Sequence, residues 1–403
     1  ATVTLDANGG ASYEFLIDGT ATFDFSLEWL PDPSRYKPNV LHIGTLVTVI
    51  EPGADVLYDW AIRVAEFAPI VYDPNIRPSV MGDRDKYQAS VEKWAAISSV
   101  IKVSDDDMAW LYPGVEYAAV RNQAAATDYS MLLKWDVEGE GAIQTVNSIF
   151  SRDISGMNPG TIAYGVVVSE TGTMVDDCTV FVYSPEHVRI FGANPMVGDF
   201  LNNYRPNNVT VSQRREELAQ LSVQGPLSRE ILQKLTSTDI SNDELRWYHF
   251  LTDVDMAGMK VQISRIGYTG ELGYEIMLPV DSAQAFWDAL FEVGEPLGLI
   301  PAGAACVMMC RIEAGLIMGE VEYDHTMTPY ECRMAWSVDL NKDNFQGKEA
   351  LIEAQKNPSL DIVSVILPGE GEYDGVELMD NNKKVGLVTM AIPSPLWLVG
   401  PQK

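Results

Sequence analysis

Residues 264–278 read SRIGYTGELGYEIML, and the fold is decided there. A strand leads into the stretch over Val261-Gln262-Ile263-Ser264-Arg265-Ile266, with apolar residues on alternate positions. Gly267, Gly270 and Gly273 then supply a turn tight enough to need a positive φ or a close backbone approach. A second strand follows over 274–278. Beyond it, Asp281 or Ser282 is placed to cap a helix whose Phe286, Leu290 and Val293 share one face. The hairpin therefore carries Tyr268 and Glu271 at its tip and Glu275 on the return strand. An aromatic ring and carboxylates beside bare glycine backbone suit a flat, hydrogen-bonding heterocycle, although a purely structural hairpin uses glycines in the same way.

The chain around this hairpin has 403 residues, enough for two or three domains with cores of their own. Its 46% hydrophobic and 21% charged content is that of a folded, soluble protein. No run of about 18 apolar residues points to a membrane span, and no basic, apolar leader is visible. Ala1 falls inside what reads as a strand, so a start upstream of it is an expectation of this reading. Cys178, Cys306, Cys310 and Cys332 have neither disulfide-framework nor CxxC spacing. Cys306 and Cys310 sit four apart on a helix with no histidine pair nearby, so no metal site is expected. Buried thiols in a reducing cytoplasm are the better reading. A net charge of −29 argues against nucleic acid as a partner, and an anionic ligand would need local basic groups to offset that field.

Residues 1 to about 32 read as strands, with a turn at Asn8-Gly9-Gly10. Strands and helices then alternate: a strand over 40–46, a helix over 55–67, a short strand before Tyr72-Asp73-Pro74, a helix over 86–98 and a strand over 100–103. That alternation points to a parallel α/β sheet. The runs FDFSLEWLPD (23–32), LHIGTL (41–46), YDPNIRPSVMGDRD (72–85) and VIKVSDDDMAWLYPG (100–114) resemble the middle of a ribokinase-like (PfkB) sugar kinase, especially a fructokinase. The resemblance implies an incomplete kinase-like α/β segment over 1–113, in which Asn75 and Arg77 would have faced a sugar. The family's GAGD motif, with its general base and anion hole, does not occur here, so the segment is expected to be inactive.

From Gly114 a different pattern begins. EYAAVRN (116–122) followed by ATDYS (126–130), the hairpin that ends in Val175-Asp176-Asp177-Cys178, LSVQGP (221–226), the 264–278 hairpin, RIEAG (311–315), TPYE (328–331) and FQGKEAL (345–351) occur in order. This succession resembles the glycine-cleavage T-protein (aminomethyltransferase) family. It implies an α+β multidomain body around a central folate channel over 114–355. A truncated C-terminal β-barrel would follow over 356–403, with GLVT (386–389) near its start and Ser394-Pro395 at a later turn. A strand is also expected over 336–340, and Met308 and Met309 are expected in the core.

Two adjacent carboxylates on a strand point to opposite faces, so only one of Asp176 and Asp177 lines a given pocket. The resemblance makes Asp177 the catalytic aspartate, near N5 of tetrahydrofolate and the one-carbon donor. It has Glu275 hydrogen-bond the pterin edge, with Tyr268 and Tyr164 lining the pocket. Glu271 is read as a solvent group, Gln224 as structural, and His325 as a residue within reach of the donor. In the T-proteins proper an arginine stands four residues before the arginine of RIEAG, whereas Val307 stands there in this chain. That departure fits the sister branches, which demethylate other methyl donors. The expected function is a tetrahydrofolate-dependent one-carbon transferase, with a small methyl or aminomethyl donor or a lipoyl carrier protein as partner. The alternatives are a non-catalytic folate-binding or scaffold protein and, more remotely, a carbohydrate kinase.

Overall fold

The computed structural model of the chain describes residues 2–5, 11–14, 17, 23–104, 107, 110–112, 115–356, 358–367 and 373–392. The Asn8-Gly9-Gly10 turn, Gly114 and the Ser394-Pro395 turn lie outside the described residues. Two compact units divide the chain, Ala1–Gly114 and Val115–Lys403.

In the first unit β1 (Thr2–Leu5) pairs antiparallel with β2 (Ala11–Glu14). Of the expected continuation, Phe23 to Ser26 lies outside any strand. Next come β3 (Leu41–Gly44), β4 (Ile70–Asp73) and β5 (Val100–Ile101), a parallel sheet in that order. Helices Gly53–Ala65 and Arg84–Ala95 make the crossovers that parallel strands require. Leu57, Ala61, Ile70, Tyr72, Tyr87 and Trp94 form its core.

The second unit holds β6 (Ala124–Asp128), β7 (Leu133–Glu138), β8 (Thr161–Val168), β9 (Met174–Ser184), β10 (His187–Gly192) and β11 (Thr210–Gln213). Then follow β12 (Leu218–Gln224), β13 (Phe250–Met256), β14 (Met259–Ser264), β15 (Gly273–Pro279) and β16 (Leu299–Pro301). They make two sheets, one ordered β11-β7-β10-β9-β8 and the other β13-β14-β15-β12-β6-β16. Ile162, Phe181 and Phe191 of the first sheet pack with Phe250 and Met277 of the second.

Period-two alternation gives the second sheet two unlike faces. Ala219, Leu221 and Val223 of β12, with Tyr274, Ile276 and Leu278 of β15, point one way. They meet Ile231 and Leu232 of helix Ser228–Gln233 and Phe286 and Leu290 of helix Ala283–Gly294. Gln220, Ser222 and Gln224 of β12 alternate with them, as does Glu275 of β15, and all four are buried. A polar face kept from water in this way is costly unless its groups are bonded to something.

Several local expectations give way to competing bonds. Neither Asp281 nor Ser282 caps helix Ala283–Gly294, because Val280–Ser282 closes a 3₁₀ turn and leaves Ser282 with helical backbone angles. The strand expected over 336–340 is a 3₁₀ turn at Ala335–Ser337, where both the backbone N–H and the hydroxyl of Ser337 donate to the Met334 carbonyl, at 2.9 and 2.7 Å. After residue 355 the described strands are β17 (Glu377–Asp380) and β18 (Lys383–Leu387), an antiparallel pair. No closed barrel exists among the described residues.

The glycines of the 264–278 hairpin have a side-chain cause. A Cβ at Gly267 or Gly273 would stand 2.0 Å from Gln224 Oε1. That amide is tied down: its Nε2 donates to Ser222 Oγ at 2.9 Å, and Thr269 Oγ1 donates to its Oε1 at 2.8 Å. Gly270 has φ +77°, and a Cβ there would lie 2.8 Å from the Ala314 Cβ. Gly273→Ala should therefore cost about 1–3 kcal/mol in a denaturant melt, through overpacking and broken amide bonds. In a Gln224→Ala background the same change should cost less than half of that. An equal cost in both backgrounds would show that Gln224 is not the obstacle.

Candidate functional site

On β9 the Asp-Asp pair is split as alternation requires. Asp177 is half-buried and gripped by two phenols. Tyr164 of β8 donates to Oδ2 at 2.8 Å, and Tyr323, from the loop beyond helix Ala304–Glu313, donates to Oδ1 at 2.5 Å. The Tyr323 oxygen also accepts the Asp177 backbone N–H at 3.1 Å. Burial raises the Asp177 carboxyl above its ordinary range, while the two phenol bonds hold it back. Asp176 faces the other way. The backbone N–H groups of Ala193 and Asn194 donate to its Oδ2 at 2.7 and 2.9 Å, and burial pushes it up to about 7. Gly192 makes room for it, since a Cβ there would stand 2.3 Å from the same oxygen.

Glu275 lies on the polar face of the second sheet, opposite Ser222 in the β12–β15 register. Gln220 Nε2 donates to its Oε2 at 2.7 Å. Burial raises its carboxyl to about 7 against the lowering effects of that bond and of the Lys134 ammonium. Lys134 is itself buried and pushed down to about 8, with Nζ donating to the carbonyls of Leu132 (2.8 Å) and Ser130 (3.2 Å). Tyr268 donates to the Ile317 carbonyl, and its phenol is raised by burial and by the charge of Asp177. The phenols of Tyr164 and Tyr268 act on one another, and Tyr129 feels both Glu275 and Tyr268. Asp177, Tyr164, Tyr268 and Glu275 thus belong to one electrostatic neighbourhood.

Other residues of this neighbourhood are not legible in the sequence. Tyr323 reaches Asp177 from 146 positions away, and no local pattern marks it. Gln220 and Ser222 are readable only as the polar phase of a strand whose other phase is core. Gln220 Oε1 and Arg311 Nε are buried without a hydrogen-bond partner. Arg311 is otherwise fixed by Glu322, 2.6 Å away.

One expectation changes. Glu271 is not a solvent group: Arg121 Nη1 stands 3.0 Å from its Oε1, and Arg121 Nη2 reaches Glu313 at 2.8 Å, so the hairpin tip is tied to two helices. His325 is engaged through Nδ1 with the Met174 carbonyl at 3.2 Å and through Nε2 with Glu320 at 3.3 Å. A surface hollow of about 530 Å³ is lined by Arg229, Gln233, Lys234 and Ser241. It lies on the Tyr274 side of the second sheet, where Arg229 Nε donates to the Tyr274 oxygen, and so on the face opposite Glu275. The chemistry-bearing groups are therefore on the polar face and not in that hollow. Among the described residues, no three His, Cys, Asp or Glu side chains are grouped to hold a metal ion, and no helix is long and apolar enough to cross a membrane.

Comparison with known proteins gives a consistent result. The family model described as the GCVT N-terminal domain matches residues 87–342. An aminomethyltransferase from Chloroherpeton thalassium is 32% identical over 287 residues, covering 70% of this chain and 78% of that protein. One from Thermoanaerobacter pseudethanolicus is 35% identical over 287 residues, covering 70% and 77%. Among solved structures, the glycine cleavage system aminomethyltransferase T from Bartonella henselae superposes with a TM-score of 0.55 at 25% identity, covering 62% of this chain and 68% of that one.

The raised carboxyls make stability depend on pH in a defined direction. Glu275 binds its proton more tightly in the fold (about 7) than in the unfolded chain (4.5), so its contribution is full below pH 4.5 and is lost as pH rises through 7. Asp176 adds to the same slope. Glu275→Gln should match the wild type near pH 4 and exceed it at pH 8 by on the order of 2–3 kcal/mol. Denaturant melts at pH 4, 6 and 8 check this, and parallel curves for the two proteins would refute it.

Proposed function

The chain belongs to the glycine-cleavage T-protein (aminomethyltransferase) family, and we propose that it is a tetrahydrofolate-dependent one-carbon transferase moving a methyl or aminomethyl unit from its donor to N5 of tetrahydrofolate. The observation that carries this reading is the buried polar sheet face around Glu275, in the same electrostatic neighbourhood as an aspartate gripped by two phenols. The residues fit the group. The unpartnered buried Gln220 Oε1 flanks a carboxylate that has a single side-chain donor, and a heterocycle rich in N–H groups would satisfy both. When bound, tetrahydrofolate supplies the N5 amine that takes up the one-carbon unit.

In this reading Glu275 and its neighbours bind the ring edge, and Tyr268 and Tyr164 line the pocket. Asp177 is the catalytic group. Positive charge develops on the transferred carbon and its nitrogen, and an ionised carboxylate there stabilises it. Burial alone would favour the neutral acid, which cannot do this. The hydroxyls of Tyr164 and Tyr323 donate to both oxygens, so they favour the anion and fix its orientation. Their own phenols are held protonated by burial and by the Asp177 charge, so they remain donors across the working pH range.

For an aminomethyl donor the proposed partner is a lipoyl carrier protein. The buried Val307, in the position where T-proteins proper carry an arginine, favours a second reading with a small N-, S- or O-methyl donor. The four cysteines are free and buried, which supports a cytoplasmic setting. We assign the transfer chemistry to residues 114–355 and none to 1–113. Purified chain should accordingly show no sugar-stimulated ATP hydrolysis, and stimulation by fructose would reverse that assignment.

Asp177→Asn should bind tetrahydrofolate within about threefold of wild type, followed by tryptophan fluorescence, and lose turnover of a responsive donor by roughly 10²–10⁴-fold. Undiminished turnover would remove Asp177 from the mechanism. Saturable binding without turnover by the wild type, across aminomethyl and methyl donors, would turn the reading to a folate-binding protein.

A further inference from the structure

One tyrosine away from Asp177 stands a guanidinium whose hydrogen-bonding fork is partly free. It belongs to Arg152, beside β8, the edge strand of the first sheet. Backbone bonds cover that edge on either side. Ser151 N–H donates to the Val166 carbonyl at 2.9 Å, and Ile162 N–H donates to the Tyr248 carbonyl at 2.8 Å. Arg152 fills the gap between them, with Nη1 donating to the Tyr164 carbonyl at 3.0 Å. Gly165 leaves room for its stem, since a Cβ there would stand 3.3 Å from Arg152 Cδ. The guanidinium lies over the Trp336 ring, 5.7 Å from the centroid, and the same indole stands 5.8 Å from the Tyr164 ring. Trp336 is 59% exposed, so the spot opens to solvent. The Tyr248 phenol feels the Arg152 charge and acts in turn on Tyr164. The chain has 57 Asp and Glu residues against 28 Lys and Arg. Even so, no carboxylate pairs with the Arg152 side chain among the described residues.

Resting on the one-carbon-transfer reading above, we propose that Arg152 is a specificity residue for the donor and binds a carboxylate, so that the donor is a small methylated acid. With Nη1 taken up by Tyr164, the free edge of the guanidinium is the one formed by Nε and Nη2. Two parallel N–H groups on one edge match the two oxygens of a carboxylate. The same edge of Arg189 holds Asp136, through Nε and Nη2 at 2.6 and 2.8 Å. Trp336 stacks on the Arg152 fork, fixes its plane and keeps water from one side of it. The position also fits the reaction. The Tyr164 backbone anchors Arg152, and the Tyr164 phenol donates to Asp177 at 2.8 Å, so the length of one tyrosine separates the two charged groups. A small acid with its carboxylate at one end and its methyl group at the other spans that length. A lipoyl arm, joined to its carrier through an amide, has no carboxylate for the fork to hold.

The test is a calorimetric titration of the full chain, as wild type, Arg152→Gln and Arg152→Lys, in the presence of tetrahydrofolate. The probes are N-methylglycine, methylthioacetate and methoxyacetate, which differ in the atom bearing the methyl group, each beside its own carboxamide. Wild type should bind at least one acid roughly tenfold or more tighter than its amide. Arg152→Gln should weaken that acid by about 10–100-fold and its amide by less than about threefold. Arg152→Lys should recover only part of the loss, because an ammonium is a point charge without the fork. Tetrahydrofolate itself should bind all three proteins alike. Equal binding of acids and amides by the wild type overturns the proposal, as does full affinity for the acid in Arg152→Gln or a wild type that binds tetrahydrofolate and none of the acids. A loss of tetrahydrofolate affinity in Arg152→Gln, not shared by a tetrahydropterin that lacks the glutamate tail, also overturns it, since the fork would then hold the folate's own carboxylates. Each of these outcomes leaves the folate reading intact. A well-folded wild type that binds neither the acids nor tetrahydrofolate overturns both.

Discussion

The amide of Gln224, wedged over Gly267 and Gly273, is the constraint on which the rest of the site depends. It fills the space that two side chains would otherwise occupy, and it is bonded on both sides to Ser222 and Thr269. The loop between β14 and β15 is thereby drawn onto the end of β12. Three consequences follow from that one contact. Tyr268 is carried over to the Ile317 carbonyl, Glu271 comes within reach of Arg121, and β15 enters the sheet in the register that sets Glu275 opposite Ser222. A one-residue slip of β15 would exchange Glu275 for Tyr274 or Ile276 and put a carboxylate into the apolar core.

The second sheet divides its labour by face. Its apolar face, packed on helices Ser228–Gln233 and Ala283–Gly294, supplies the hydrophobic burial that stabilises the unit. Its polar face has the opposite effect in the unliganded protein, because Glu275 is held partly protonated near neutrality and the neighbouring Gln220 Oε1 is unpaired. A ligand that satisfies these groups stabilises the fold through mass action.

The first sheet is joined to the second by a charged bridge as well as by aromatic packing. Arg189 of β10 grips Asp136 of β7 through two nitrogens, at 2.6 and 2.8 Å, and donates to Tyr183 at 3.1 Å. Tyr183 in turn donates to Gln262 of β14 at 2.5 Å. Burial works against the Asp136 carboxylate, but bonds from His187 and Arg189 hold it down to about 2. A bridge of this kind adds little net stability over an apolar replacement. It does fix the angular relation of the two sheets, and with it the relation of Asp177 on one sheet to Glu275 on the other.

The sequence by itself determined the alternation. Period-two patterning along 261–278 and 218–224 separates Glu275 from Tyr274 and Gln220 from Leu221, and the Asp176-Asp177 pair must split between faces, because both follow from backbone geometry alone. The ordered motifs likewise carry the family. What only the tertiary structure decided is which distant groups arrive at those faces. Tyr323 meets Asp177 across 146 positions, and Arg121 claims a carboxylate that looked solvent-bound. The strand expected at 336–340 closes instead into a turn around Ser337. For the first two the physical reason is that hydrogen bonds and charge pairs are formed by atoms brought together through chain folding, whereas the spacing of residues along a sequence records only the contacts made within one strand or one helical turn. The turn is instead a local competition, in which Ser337 bonds the Met334 carbonyl three residues back and takes the backbone out of an extended strand.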